Sequence, residues 1–276
     1  RDVYTLRERL FRKGKIEALV YGNMTAGEAI TAARKLEQQV GLRDLSEDKL
    51  YETRLVDFAQ GDTVTFKDVL PGNNSVFRKD FIIGQATPKN RVAAAVLTNL
   101  IEAPYYTEMR TRQQLGYVVW SFTFDREDEL RLGFVIQSGD YDPVELVNRS
   151  DALVSQIPEL LVSMPSEAFE KAKAAVRSAI EVKPKTIGEK ASRLFELAYT
   201  YDANWDRQQE SLEALEALTV DDMVALAAQV NDPAQLRYQL VLLFARQHAE
   251  KAGQVDGVTD LGKWKAGRAF RKPTHL

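Results

Sequence analysis

Cysteine is absent from the 276-residue chain, and histidine occurs only twice, at His248 and His275. Without thiols there can be no disulfide, no thiolate nucleophile and no Cys-ligated zinc or iron–sulfur site. A Ser-His-Asp triad or a multi-histidine metal centre would have to be built from those two imidazoles. No stretch approaches the ~20 apolar residues that cross a bilayer, and there is no apolar signal region. The sequence starts at Arg1 without an initiator Met, which reads as a piece of something longer. A strong charge of one sign is also missing: 37 Lys and Arg against 40 Asp and Glu leave −3. That excludes a highly basic nucleic-acid protein and an acidic disordered tail. The remainder, 45% hydrophobic and 28% charged, is ordinary globular material with ample core for one large domain or two small ones.

Hydrophobic periodicity divides the chain into elements. Residues 2–13 read as a charged amphipathic helix with Val3, Leu6 and Leu10 on one side. Ile16–Tyr21 alternates like a strand, and Thr25 with Glu28 forms a capping box opening a helix to about Gln39. Arg54–Phe58, Thr63–Lys67 and Ser75–Ile83 are strand-like, separated by turn residues. Pro88 to about Ile101 is helical, and a second short helix is expected from Pro104 to about Leu115-Gly116. Tyr117–Asp125 and Leu130–Ser138 form a hairpin with Val118, Trp120, Phe122 and Phe124 on one face. Helical periodicity dominates from Asp142-Pro143 to about Val230, with capping patterns at Thr186–Glu189 and Thr219–Asp222. A last strand covers Leu236–Phe244, and the tail, Gly-rich and basic from Gly253 onward, reads as irregular surface chain. Six or so strands, with helices between and after them, predict an α+β fold: two layers, a largely antiparallel sheet with helices on one face. The expected division is a helical leader at 1–14, one compact domain at 15–245 and a basic tail at 246–276.

Little recognisable catalytic chemistry is present. There is no G-x-G-x-x-G, no Walker A loop and no G-x-S-x-G elbow. Ser46–Lys49 fits S-x-x-K but stands in a polar loop without companion motifs. His248 reads as a surface histidine and His275 as unstructured. The basic tail (Lys263, Lys265, Arg268, Arg271 and Lys272, with Trp264 and Phe270) could be mistaken for a nucleic-acid or membrane-surface arm. Aromatics packing back on the domain explain it more simply, so neither nucleic acid nor membrane is expected as a partner. The informative segment is Glu108–Trp120, E-M-R-T-R-Q-Q-L-G-Y-V-V-W. It places two hydrogen-bond donors, Arg110 and Tyr117, around a helix–Gly–strand transition. Gly116 permits the sharp turn. A guanidinium and a phenol on rigid elements can both aim at an oxygen that develops negative charge. The alternative is structural: Arg110 paired with Glu108 or Glu102, and Tyr117 buried with its hydroxyl satisfied.

These residues also resemble a known family. R-T-R-Q-Q-L-G-Y-V-V is similar to the L-R-T-x-x-Q-L-G-Y-x-V signature in the C-terminal half of the insulysin/pitrilysin zinc metalloendopeptidases. Ile16–Asn23 resembles the family's strand ending in G-N, and Leu132–Ser138 resembles the strand after the signature. Lys183-Pro184-Lys185, Asn204-Trp205-Asp206-Arg207 and Leu218-Thr219 follow in the family's order, and Gly262–Lys265 looks like a bacterial pitrilysin tail. The likeness spans about residues 10–270.

The resemblance implies four homologous α+β domains in two halves that close around a chamber, with this chain as the fourth domain. It implies that Arg110 and Tyr117 hydrogen-bond the substrate backbone near the scissile carbonyl. It also implies zinc, held by H-x-x-E-H and a distal Glu in an N-terminal half. That motif is missing here, and two histidines are too few to supply it. The expected cofactor is therefore zinc in the complete enzyme and none in this chain. The expected partners are the zinc-bearing half, in the same chain or a separate subunit, and peptide substrates. Alternatives are a stand-alone peptide-binding scaffold or the C-terminal subunit of a two-chain peptidase. Compartment, periplasmic or cytoplasmic, stays open.

Overall fold

The computed structural model describes residues 2–46 and 50–274. Ser46–Lys49 and His275 therefore lie partly or wholly outside the described residues. The chain resolves into two compact units, one running through Arg54 with Val182–Trp205, the other Leu55–Glu181 with Asp206–Thr274.

The larger unit is built on five strands: β1 (Thr63–Val69), β2 (Ser75–Gln85), β3 (Val118–Arg126), β4 (Glu129–Ser138) and β5 (Tyr238–Phe244). Their order across the sheet is β1-β5-β2-β4-β3; β1 runs parallel to β5, and every other neighbour is antiparallel. The α+β expectation is met, with a predominantly antiparallel sheet. The period-2 alternation of strands sorts the sheet's two faces. Phe77, Phe81, Leu132, Phe134, Ile136, Val119, Leu240, Leu242 and Phe244 point to the helical side and are buried. There they join Val96, Leu97 and Ile101 of the Pro88–Tyr106 helix, Leu146 of the Pro143–Val154 helix and Phe169 of the Ser166–Ile180 helix in one core. Val118, Trp120, Phe122 and Phe124 share the opposite face, as the alternation requires.

Helix ends follow their capping residues. Thr87 accepts from the Asn90 amide with Pro88 at the first helical position, and Asp142 accepts from Val144 and Glu145 ahead of Pro143. Thr25–Glu28 and Thr219–Asp222 are complete capping boxes. At Thr186 the hydroxyl accepts from Glu189, whose carboxylate reaches the Lys185 amide instead.

Three local expectations are corrected. No helix break occurs at Pro104: the helix continues through Tyr106 and widens into a π-helical turn, Thr107–Arg112. Buried Ile101, Tyr105 and Met109 hold that path, so packing outweighs the local propensity of proline. Ile16–Tyr21 forms no strand, because alternation yields a strand only beside a pairing partner, and none of the described residues provides one. The tail is not irregular throughout. It contains short helices at Ala249–Ala252 and Leu261–Ala266, and Phe270–Arg271 pairs with Leu55–Val56.

The tail is anchored by aromatic and ionic contacts. Trp264 meets Phe66 edge-on at 5.0 Å and Phe58 at 6.2 Å, sealing a small cluster with Val64 and Ile82. Arg268 pairs with Asp62 at 2.8 Å, and Arg271 with Asp128 at 2.8 Å. Burial raises the Asp128 carboxyl, but the Thr274 amide and hydroxyl and Arg271 outweigh it and hold it below the ordinary carboxylate range.

The smaller unit contains the Asp2–Leu10, Ala26–Val40 and Ile187–Phe195 helices, none with a buried residue. Lys13–Gly14 pairs in parallel with Arg43–Asp44, and the Tyr199 hydroxyl donates to the Ala18 carbonyl at 2.7 Å.

Acid should weaken the larger unit through its depressed carboxylates. At Asp142, burial raises the carboxyl, while Lys251 and the Glu145 and Val144 amides lower it further, for a net depression. Asp222, hydrogen-bonded by Lys89 and Thr219, is lowered to about 2. A folded-state value below the unfolded one adds stability that is complete above the unfolded value and lost as pH falls through the folded one. The urea midpoint should therefore drop between about pH 5 and pH 2. Asp142→Ala should lower stability by about 1–2 kcal/mol at pH 6, where the cap is charged. The gap from the unsubstituted protein should narrow toward pH 2; a constant gap would contradict the assignment.

Candidate functional site

The signature residues sit where the Pro88–Tyr106 helix ends and β3 begins. Two fully buried side chains, Met109 and Leu115, anchor the connecting segment in the core. Between them the Gln113 amide donates to the Glu108 carbonyl and the Leu115 amide to the Met109 carbonyl, both at 2.9 Å. Gln114 closes the turn with a left-handed φ of 53°. A turn of this width within a helical run is a frequent mark of a functional position.

Gly116 follows, and its lack of a side chain is required. A Cβ there would lie 1.9 Å from the Gln137 carbonyl oxygen of β4. No side-chain rotation can relieve a clash between a Cβ and backbone. The close approach brings the turn flush against the sheet and lets Val118 pair with Gln137 as the first rung of β3.

Tyr117 emerges between these fixed points and is 84% exposed. The Arg110 guanidinium lies over its ring, 5.2 Å from the centroid. The structure thus brings the two sequence-selected residues together as a cation–π pair. The structural alternative is not what forms. Glu108 is engaged by Arg112 at 3.2 Å and by Gln113 at 3.1 Å, and Arg110 has no carboxylate partner among the described residues. Residues two apart on a helix face away from each other, which keeps Glu108 from Arg110. The guanidinium and phenol can therefore offer their donors to a ligand at the surface.

Trp120, 63% exposed, stands on the open face of β3. Phe122 and Phe124 stack 5.7 Å apart, with Arg78 above both rings at 5.1 and 5.3 Å. Behind the turn, a cavity of about 690 Å³ is lined by Glu108, Arg112, Gln113, Arg149 and Leu153, among others.

The other sequence candidates do not join this site. His248 is half-buried rather than free on the surface, its Nδ1 lying 3.0 Å from the Ser75 hydroxyl. That hydroxyl also accepts the Ala245 amide and is buried, so the pair braces the chain after β5. No sequence signal short of the fold links positions 75 and 248. Among the described residues no group of three or more His, Cys, Asp or Glu side chains could hold a metal. No helix of the described residues is long and apolar enough to cross a membrane.

Comparison with known proteins places these features in a family. The family described as "PQQ synthase PqqF-like, C-terminal lobe domain 4" matches residues 96–195, which contain the whole turn. "Protease 3" of Escherichia coli O6:H1 is 30% identical over 195 residues, 70% of this chain and 20% of its own length. "Insulin-degrading enzyme" of Mus musculus is 24% identical over 225 residues, 78% of this chain and 22% of its own length. The chain thus spans about a fifth of the length of the curated relatives it matches. Among solved structures, pitrilysin superposes with a TM-score of 0.80 at 23% identity, over 99% of this chain and 29% of that one. A peptidase M16 inactive domain from Pseudomonas fluorescens gives 0.52 at 12% identity, over 80% of this chain and 52% of that one.

Gly116→Ala should destabilise the larger unit by about 3 kcal/mol, the upper range for overpacking. Gly72→Ala, where a Cβ meets nothing within 4 Å, is the control. Equal urea midpoints for the two variants would show that the close approach is not what fixes the turn.

Proposed function

The chain belongs to the insulinase/pitrilysin family as a C-terminal domain, and from that premise we propose that it is the substrate-clamping part of a zinc metalloendopeptidase. In this reading Arg110 and Tyr117 hydrogen-bond the backbone of a bound peptide near its scissile carbonyl. Zinc and the general base come from an N-terminal half that this chain does not contain, and the chain alone does not cleave peptides. The observation that carries the reading is the Arg110–Tyr117 pair itself. A guanidinium free of any carboxylate among the described residues rests 5.2 Å from an exposed phenol ring, on a turn anchored at both ends.

The chemistry follows from what these groups can donate. Guanidinium carries five N–H donors in a fixed plane and stays protonated at working pH. Phenol adds one O–H. Neither is a nucleophile at this position. Both stabilise a carbonyl oxygen, and the more so as that oxygen gains negative charge in the tetrahedral transition state. Contacts of this kind address peptide backbone, so the preference for substrate side chains arises elsewhere in the chamber.

A second reading is a C-terminal subunit working with a separately encoded zinc-bearing half, and the Pseudomonas fluorescens structure, which shares the fold, is compatible with it. That chain is named an inactive M16 domain, and this one covers 52% of it. Whether H-x-x-E-H lies upstream in the same reading frame decides between the two arrangements.

In the complete peptidase, Arg110→Ala should lower kcat by about 10²–10³-fold, as removal of a transition-state donor does. Tyr117→Phe should lower it about tenfold, with KM changing less in both variants. Steady-state kinetics on a fluorogenic peptide measures this split. Effects confined to KM would make the pair a ground-state binding element. Unchanged kinetics would remove the clamp altogether.

A further inference from the structure

The Glu108 side chain lies on the back of the turn that carries Arg110. Its carboxylate accepts from Arg112 Nη1 at 3.2 Å and from Gln113 Nε2 at 3.1 Å, while its carbonyl accepts the Gln113 amide at 2.9 Å. The Gln113 contact spans five residues. In an α-helix, at about 100° per residue, position i+5 stands about 140° around the axis from i, out of side-chain reach. The i→i+5 register of a π-helical turn brings the two positions together. The Glu108–Gln113 side-chain bond is therefore compatible with the wide register and not with the narrow one.

We propose that Glu108 and Gln113 are positioning residues for Arg110. Their clasp holds Thr107–Arg112 in the π register and so sets the direction in which the guanidinium leaves the turn. The proposal rests on the clamp reading of Arg110.

The surroundings support a dedicated clasp. Gln113 is engaged at both ends of its amide: it donates to Glu108, and its oxygen accepts from Arg149 Nη1 at 3.4 Å. Arg149 is itself fixed, paired with Glu145 and lying 4.7 Å from the Tyr141 ring centroid. Glu108, Arg112 and Gln113 all border the cavity of about 690 Å³. Packing is therefore open on that side of the turn, and there the hydrogen bonds add to the core anchors Met109 and Leu115 in holding the register. Glu108 stands two residues from Arg110 and faces away from it. It orients the turn without neutralising the guanidinium.

Two readouts in the complete peptidase separate this proposal from the reading beneath it. The first is amide hydrogen exchange at Gln113 and Leu115, whose N–H groups close the wide turn. Glu108→Ala and Gln113→Ala should each speed it about tenfold, as loss of a net hydrogen bond does. Arg110→Ala should leave it unchanged. Exchange unaltered by both clasp variants overturns the clasp, whatever Arg110 does. The second readout is a kinetic cycle. Glu108→Ala should lower kcat about tenfold in the parent and not at all in an Arg110→Ala background. Glu108→Gln, whose amide oxygen still accepts from Gln113, should recover most of the loss. Equal losses in both backgrounds would make Glu108 a structural residue only and overturn the positioning role. Gln113→Ala repeats the test with the carboxylate intact, should Glu108→Ala fold poorly. Altered exchange together with an Arg110→Ala variant of full turnover would sink the clamp reading and the positioning role with it.

Discussion

The close approach of Gly116 to the Gln137 carbonyl fixes the geometry from which the rest of the site follows. A Cβ at position 116 would come within 1.9 Å of that oxygen, so the chain can pass only as glycine. Because it passes there, Val118 falls opposite Gln137 and β3 enters the sheet in a defined register. Register in turn decides which side chains face the helices. Val119 goes into the core, and Trp120 goes to the open face. Tyr117, between the glycine and the first rung, belongs to neither face and stands free. Arg110 meets it because Met109 and Leu115, both buried, tie the preceding turn to the same core.

The open face of the sheet is organised by a different rule. Phe122 lies across Gly133, where a Cβ would come within 2.5 Å of its ring, and Arg78 covers the Phe122–Phe124 pair. At the far end the face is closed by Trp264 from the tail, which makes the tail part of the architecture. The ionic contacts there are of the kind that matter most when half of a pair is removed. Arg131 and Glu129 are both buried and 2.6 Å apart, and Arg271 reaches Glu129 and Asp128. Deleting one partner strands a charge in a poorly solvated place, a larger penalty than the pair's net worth. Two of the tail's basic residues are engaged in this way, Arg268 with Asp62 and Arg271 with Asp128 and Glu129.

Legibility in the sequence tracked how local the determining physics is. The hairpin, the last strand and the capped helices were readable because alternation, Asp142-Pro143 and Thr219–Asp222 act within a few residues. Pro104 was misleading because three buried neighbours on its own helix outweigh the missing amide, and packing of that kind is not written in local propensity. Ile16–Tyr21 was misleading for the converse reason: its alternation is real, but a strand is a property of two segments, not one. In the smaller unit no described residue is fully buried, so its amphipathic helices lack the packing that usually fixes such patterns. At the candidate site, residue type and spacing singled out Arg110 and Tyr117 but left a structural reading beside the functional one, and their stacking was not legible at all. Sequence spacing presents Glu108 as a competitor for Arg110, because only the π register reveals that it reaches Gln113 instead.

A cation with no carboxylate partner among the described residues needs a reason to be tolerated, and the helix supplies one. The Pro88–Tyr106 helix runs directly into the Thr107–Arg112 turn, and the carbonyls at the end of this continuous run carry the negative end of its dipole. A cation in the last turn is stabilised there by about 0.3–1 kcal/mol. That interaction differs from a salt bridge in one functional respect. A carboxylate partner would occupy the guanidinium's donors as well as balance its charge, and in the proposed clamp a bound carbonyl would then have to displace it. The helix end and the Tyr117 ring each favour the charge through space, the ring by its face, and leave the N–H groups unspent. A carboxylate placed within reach would make Arg110 more stable and less able to bind. The site has the arrangement that avoids this, with Glu108 held on the opposite side of the turn by Arg112 and Gln113.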